Sequence, residues 1–393
     1  MRKLIIITTH PIQYNDPLFK LLTERSNIQI KVFYTWGESV LADKYDPGFG
    51  KVIKWDIPLL EGYAYQFLDN RSTTPGSHHF NGIINPDIFA QIDAWQPDAL
   101  LVYGWNLRSH LKVLVHYKNK IPVFFRGDST LLDDKPGLKA FARRLVLRWV
   151  YRHIDKAFYV GSNNKEYFKV LGLKEDQLIY APHAIANDFF QDKGGAYEAA
   201  AAEWRQKLGI SGEAFVFLFV GKLELKKAPL LLVEAFKSAV FSIEVHLIIV
   251  GDGLLESALK NAGDRKDIHF ISFQNQKRMP VVYRLADTVV LPSGGPGETW
   301  GLVINEAMAC GKPVIASTKC GGAADLIKGD VNGYVFEAGN REELKEKLQK
   351  IASDKARSRE MGKAAFAGIQ NFSFLKSAEA IEGAMEARRN TIL

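Results

Sequence analysis

The stretch Leu285-Ala-Asp-Thr-Val-Val-Leu-Pro-Ser293, continued by Gly294-Gly-Pro-Gly-Glu298-Thr-Trp-Gly-Leu-Val-Ile-Asn-Glu306 and Ala307-Met-Ala-Cys-Gly311-Lys-Pro313, decides the fold. Its first part is a run of aliphatic and β-branched residues closed by Pro292 and Ser293, which reads as a buried strand. Gly294 to Gly297 make a turn, and from about Trp300 the pattern is helical until Gly311 and Pro313 stop it. Glu298 therefore falls just ahead of a helix N-terminus, where free backbone N–H groups and the helix dipole favour an anion. Glu306 lies two turns in, and eight positions at about 1.5 Å each separate the two carboxylates by roughly 12 Å. That exceeds the roughly 5–10 Å between the carboxyl groups of a glycosidase. It suits the two hydroxyl-rich ends of one elongated ligand, with phosphates at the helix terminus between them. The competing reading is an acidic cap on an amphipathic helix.

Outward from this stretch, apolar strand-like runs alternate with helical patterns along the whole chain, which predicts parallel sheets wrapped by helices. In the first half the runs are Leu4–Thr8, Ile28–Tyr34, Tyr63–Phe67, Ala99–Tyr103, Val123–Phe125 and Ala157–Val160. In the second they are Phe215–Val220, Val245–Val250, Ile268–Ile271, Thr288–Leu291, Val314–Ala316 and Tyr334–Phe336. The fold class is α/β with two doubly wound, Rossmann-like sheets, and the polar segment from Pro182 to about Gly212 divides them. A chain of 393 residues is long enough for two full cores, and 47% hydrophobic with 24% charged residues excludes a disordered class. No apolar run reaches the length of a membrane span, and the opening run at Leu4 is a strand rather than a secretion signal. Two cysteines, Cys310 and Cys320, provide neither a disulfide framework nor a metal cluster, and both read as packing residues of a reducing compartment. A net charge of +7 fits phosphorylated ligands or anionic lipid and is too small to indicate nucleic acid.

The Glu298–Glu306 stretch, with the following Ala-Met-Ala-Cys-Gly-Lys-Pro-Val-Ile-Ala-Ser317, resembles the Glu-x7-Glu signature of the retaining glycosyltransferases of family 4. The resemblance implies a GT-B architecture, with residues 1–185 as the acceptor-side domain and 186–371 as the domain that holds the nucleotide-sugar donor. A terminal helix over 372–393 would then cross back to the first domain. It implies that Glu298 contacts the donor sugar and Glu306 the nucleotide ribose. Gly221-Lys222-Leu-Glu-Leu-Lys-Lys227-Ala-Pro229 is similar to the family's diphosphate-holding Gly-Arg-Leu-x3-Lys-Gly segment, with Lys222 for the arginine and Ala228 for the glycine. Lys222 and Lys227 are the cations that a departing diphosphate needs, with Lys226 as a neighbour able to substitute. Phe273 and Gln274 stand where relatives pack and contact the base. Trp300, Gly301 and Leu302 offer the phosphate-binding N–H groups. Gly321-Gly-Ala-Ala-Asp325 resembles a Gly-Gly-x-x-Glu turn near the donor, and Gly251-Asp-Gly253 a structural turn.

In the first half the resemblance is mainly architectural. The first strand runs into His10-Pro-Ile-Gln-Tyr-Asn-Asp16-Pro17, where many relatives have a Gly-Gly loop, so His10, Gln13 and Tyr14 are candidate cleft residues or a structured turn. Asp16 reads as an N-cap with Pro17 as the first helical residue. Pro122-Val-Phe-Phe-Arg126-Gly-Asp128-Ser129 brings Asp128 to the position of a family histidine that contacts the sugar near the reacting carbon, with Arg126 offering charge. His183 lies on the interdomain crossing. Asp133-Asp134 read as solvated helix-capping charges rather than a metal motif. Leu138 to Lys156 is predicted as a basic amphipathic helix, which offers peripheral contact with a membrane or else a solvated face with Arg stems over apolar surface.

The expectation is thus a cytoplasmic enzyme at the inner face of a membrane, in polysaccharide biosynthesis. It would move a hexose from a UDP- or GDP-sugar to a glycan or lipid-linked acceptor, by front-face displacement, without metal, cofactor or nucleic acid. Catalysis falls to Asp128, Lys227 and Glu298. The alternatives are a non-catalytic sugar or nucleotide binder, and a sugar-nucleotide epimerase or phosphorylase of the same fold.

Overall fold

The computed structural model describes residues 1–41, 44–46, 51–53 and 56–387. They divide into two units, one of residues 1–44, 58–183 and 374–393 and the other of residues 45–57 and 184–373.

Unit 1 is built on β1 (Arg2–Thr8), β2 (Ile28–Tyr34), β5 (Tyr65–Phe67), β6 (Ala99–Tyr103), β7 (Val123–Arg126), β8 (Lys156–Tyr159) and β9 (Leu178–Tyr180). The strands β3 (Lys44–Asp46) and β4 (Lys51–Ile53), between β2 and β5 in sequence, pair as a separate two-stranded sheet that falls almost wholly in unit 2. The seven-stranded sheet runs β5-β2-β1-β6-β7-β8-β9, with parallel neighbours throughout. Parallel strands are covered on both faces, so successive residues of β1 serve different cores. Ile5 and Ile7 pack with Leu100, Val102 and Phe125, while Leu4 and Ile6 pack with Leu101, Phe124 and Phe158. The helices are α1 (Asp16–Arg25), α2 (Ile88–Trp95), α3 (Arg108–Tyr117), α4 (Leu138–Tyr151) and α5 (Ser162–Val170).

Unit 2 has a six-stranded sheet ordered β12-β11-β10-β13-β14-β15, again parallel throughout. Its strands are β10 (Phe215–Val220), β11 (Val245–Val250), β12 (Ile268–Ile271), β13 (Thr288–Leu291), β14 (Val314–Ser317) and β15 (Gly333–Phe336). Its helices are α6 (Asn187–Phe190), α7 (Ala196–Lys207), α8 (Pro229–Ser238), α9 (Glu256–Ala262), α10 (Met279–Arg284), α11 (Leu302–Ala309), α12 (Ala323–Leu326), α13 (Arg341–Ala352) and α14 (Lys355–Ile369). The strand order reverses between β10 and β13, and a crevice at such a reversal is where open α/β sheets hold ligands.

The last helix, α15 (Phe374–Glu386), packs in unit 1 rather than beside α14. Ala378, Ile381 and Met385 join the core of Leu18, Phe19 and Leu22 from α1. The Arg25 guanidinium meets the Glu382 carboxylate through two nitrogens, at 2.9 and 2.8 Å.

Three local expectations are corrected. The helix over 138–156 ends at Tyr151, because Ile154 is buried and Asp155 leads into β8, its N–H bonded to the Val123 carbonyl at 2.8 Å. Asp16 is not the cap of α1: the helix includes it, and its side chain turns inward. The helix carrying Glu306 starts at Leu302, because Gly301 precedes it in the left-handed region at φ +92°.

Candidate functional site

At the reversal point of unit 2, two loops meet beyond the carboxyl ends of β10 and β13. The β10 loop passes Lys222 and Leu223, makes a short 3-10 turn over Leu225–Lys227, and enters α8 at Pro229. Between them Ala228 holds φ +48°, a conformation that costs an alanine Cβ roughly 1–2 kcal/mol and that glycine adopts freely. The β13 loop runs through Ser293 and Gly294 to Glu298. The Gly294 N–H donates to the Lys226 carbonyl at 2.8 Å, which fixes one loop against the other.

The Glu298 carboxylate is buried and forms a close ion pair with Lys227, while the Ser293 hydroxyl donates to it at 3.0 Å. A buried charge needs such partners, since unpaired burial costs several kcal/mol. The lysine ammonium carries three donors, so one bond to Glu298 leaves it able to bridge to a second anion. Lys226, its neighbour, is committed to Glu224 at 3.7 Å. Lys222 is half-buried on the same loop.

The turn that carries Glu298 is held from below. The Gly321 N–H donates to the Glu298 carbonyl at 3.0 Å and the Gly322 N–H to the Trp300 carbonyl at 2.8 Å. A Cβ on Gly321 would lie 1.8 Å from the Thr299 carbonyl oxygen, so only glycine permits this approach. Trp300 is buried, with its indole N–H donating to Asn305 at 2.8 Å. Gly301 and Leu302 then open α11, where the Ile304 N–H donates to the Gly301 carbonyl at 2.9 Å and the N-terminal end favours an anion. On that helix Glu306 is buried and accepts the Tyr283 hydroxyl at 2.6 Å and the Gln276 amide at 3.4 Å.

Beyond β12, Phe273 and Gln274 are half-buried. The Phe273 N–H donates to the Asp252 carboxylate at 3.2 Å, and the Gln274 amide folds back on the Ser272 carbonyl at 3.0 Å. Thus Lys227, Glu298, Trp300, Gly301 and Leu302 share one end of the unit 2 sheet, with Glu306 on the same helix. Ser293, Asp252, Gln276 and Tyr283 were not singled out from sequence. Ser293 ends its strand as plain punctuation, and Tyr283 carries the apolar period of a core aromatic, which it also is.

In unit 1, the expected ligand charge of Arg126 is otherwise engaged. Its side chain is buried and donates to the carbonyls of Ala181 and Pro182 at 2.9 and 3.1 Å, and burial pulls its pKa below the usual value. The strand end is thereby tied to the segment that leaves the unit. Asp128 faces His183 at 3.7 Å, and burial lowers the histidine pKa against the opposing pull of that carboxylate. His10 bonds the Thr9 hydroxyl at 2.8 Å and stands edge-on to Trp36 at 5.4 Å, while Gln13 is buried and Tyr14 half-buried. Asp134 does not cap α4 but pairs with Arg143 and Arg144 near its middle, at 3.3 and 3.6 Å. Cys310 and Cys320 are both buried and free, and burial pushes their thiols up to about 12 and about 11.

Comparison with known proteins bears on unit 2 most directly. Residues 200–367 match the family described as "Glycosyl transferases group 1". The D-inositol 3-phosphate glycosyltransferase of Xylanimonas cellulosilytica is 27% identical over 221 residues, 54% of this chain and 52% of the relative. That of Nocardia farcinica is 28% identical over 293 residues, 71% of this chain and 62% of the relative. The chain thus spans about half the length of the first of these. Among solved structures, Anabaena HepE in complex with UDP and glucose aligns at TM-score 0.71 and 18% identity, over 98% of this chain and 100% of that one. Sucrose-phosphate synthase from Thermosynechococcus elongatus aligns at TM-score 0.72 and 18% identity, over 99% of both chains. With parallel sheets of seven and six strands in two Rossmann-like α/β units, the fold is GT-B.

Proposed function

We propose that this protein is a retaining, metal-independent glycosyltransferase of family 4. In this reading it moves a hexose from a UDP- or GDP-linked donor to a glycan or lipid-linked acceptor in polysaccharide biosynthesis. What carries the reading is the pairing of Lys227 with the buried Glu298, at the strand-order reversal of unit 2 and beside the N-terminus of α11. A cation, a hydroxyl acceptor and the N–H groups of a helix N-terminus within one turn match the parts of a diphosphate sugar. The curated relatives that carry the name glycosyltransferase support it as well.

In this mechanism Glu298 accepts hydroxyls of the sugar and Glu306 those of the ribose. Phe273 and Gln274 border the base. Lys227, Lys222 and the N–H groups of Trp300 to Leu302 hold the diphosphate. The bond from the anomeric carbon to the diphosphate oxygen breaks as the acceptor oxygen bonds the same face, and the acceptor proton passes to the departing phosphate oxygen. Lys227 then acts on charge that grows toward the transition state, so the chemistry is orientation plus electrostatics. Asp128 is assigned to the sugar from unit 1. The exposed apolar residues of α4, among its arginines, are assigned to the cytoplasmic face of a membrane where the acceptor lipid resides.

The test is nucleotide release from UDP-, GDP- and ADP-sugars by the purified protein in excess EDTA. Release from one donor class is expected, and Lys227→Ala should slow it about 10²–10³-fold while weakening donor binding less. Donor binding without release indicates a non-catalytic binder. Interconversion of the sugar on an intact nucleotide indicates an epimerase, and dependence on inorganic phosphate a phosphorylase. Silence in EDTA with rescue by magnesium or manganese overturns metal independence.

A further inference from the structure

Among the groups around the unit 2 site, one pair is built more tightly than a structural core requires. The Tyr283 side chain is fully buried on α10, and its hydroxyl donates to Oε2 of Glu306 on α11 at 2.6 Å. A phenol on a carboxylate is a charge-assisted bond, shorter and about twice as strong as a neutral one. The other oxygen of Glu306 takes the Gln276 amide at 3.4 Å, from the short turn that precedes α10. That turn is itself fixed, since the Asn275 side chain accepts the Gln276 N–H at 2.9 Å. The plane of the Glu306 carboxylate is therefore set by donors on another element, and by one of them strongly.

We infer that Tyr283 is a positioning residue that presents the Glu306 carboxylate to the vicinal ribose hydroxyls of the donor nucleotide, with Gln276 as its weaker partner. The inference rests on the assignment of Glu306 to the ribose under Proposed function. Preorganisation gives the pair its effect: a carboxylate already held in place loses little rotamer freedom when a diol binds. Tyr283 thus acts on ribose recognition through Glu306 and contributes nothing to contacts with base or phosphates.

The experiment compares UDP with 2′,3′-dideoxy-UDP by calorimetry on the full chain, for the wild type, Tyr283→Phe, Glu306→Gln and the double variant. Tyr283→Phe should weaken UDP by about tenfold, the low end for a hydrogen bond to a charged group. It should leave the dideoxy analogue unchanged, and the double variant should bind UDP no worse than Glu306→Gln alone. Equal weakening of both nucleotides, or full additivity of the two substitutions, overturns the positioning role. So does unchanged UDP affinity in Tyr283→Phe where Glu306→Gln is impaired. Unchanged affinity in Glu306→Gln overturns the ribose assignment itself, so the two failures are distinct. If Tyr283→Phe does not fold, Gln276→Met carries the same comparison, with about threefold loss of UDP and none of the analogue expected.

Discussion

Asp16 shows what a fold can do to a single carboxyl group. It lies 4% exposed at the start of α1, where Oδ1 accepts the Tyr34 hydroxyl at 3.1 Å, and Tyr34 in turn meets the Tyr63 hydroxyl at 2.6 Å. Burial pushes its pKa up to about 7, against hydrogen bonds from Tyr34, Ile12 and Tyr63 that lower it. The folded form thus keeps a proton that the unfolded chain releases near its ordinary value of about 3.9. The stability linked to this group is present in full below that value and is lost as pH rises through about 7. Asp16→Asn should therefore stabilise unit 1 at pH 8, by about 2–4 kcal/mol, and make little difference at pH 4. Urea unfolding at the two pH values measures this, and an equal effect at both would show that no buried carboxylate is being relieved.

Helix α4 presents an unusual surface for an outer element. Leu138, Phe141, Leu145, Val146 and Trp149 are 88, 63, 52, 54 and 40% exposed, and the helix contains four cations and no acidic residue. Contact with anionic lipid would cover the apolar stripe and neutralise the charge. Phe141→Asp with Leu145→Asp should reduce co-sedimentation with phosphatidylglycerol vesicles by about tenfold or more, the scale of two apolar side chains left unburied. Donor hydrolysis should be unaffected, and unchanged vesicle binding would remove α4 from the interface. The extent of α4 was misjudged from sequence because cations continue past Tyr151, while the buried Ile154 and the pairing of Asp155 end it. Strands were easier to read. Burial on both faces makes β10, β11 and β13 largely apolar, β-branched and aromatic runs, whereas β9 is only Leu-Ile-Tyr at a sheet edge. In the site, Glu298, Glu306 and Lys227 were singled out through their resemblance to family motifs, each of which lies in one continuous stretch of sequence. Ser293, Gln276 and Tyr283 were not: Ser293 reads as plain strand punctuation, and Gln276 and Tyr283 meet Glu306 only through packing between separate elements.

At the scale of the molecule, unit 1 is discontinuous and needs α15 to cover α1, whereas unit 2 is drawn mostly from the single stretch 184–373. Ending the chain at Ser373 removes Ile381, Met385 and the Glu382 partner of Arg25, at about 1.5–3 kcal/mol for each large apolar side chain lost from a core. Hydrogen exchange should then quicken in β1 and β2 while β10 and β11 keep their protection, and the reverse pattern would place α15 with unit 2. The same layout orders events on the ribosome. Residues 1–183 emerge first but must wait, an apolar face of α1 uncovered, until all of 184–373 has been translated, roughly 10–40 s at 5–20 residues per second. Unit 2 has its whole sheet in hand before that. The half of the protein that is synthesised first is therefore completed last, and during that interval it is the half that a ribosome-associated chaperone has reason to hold.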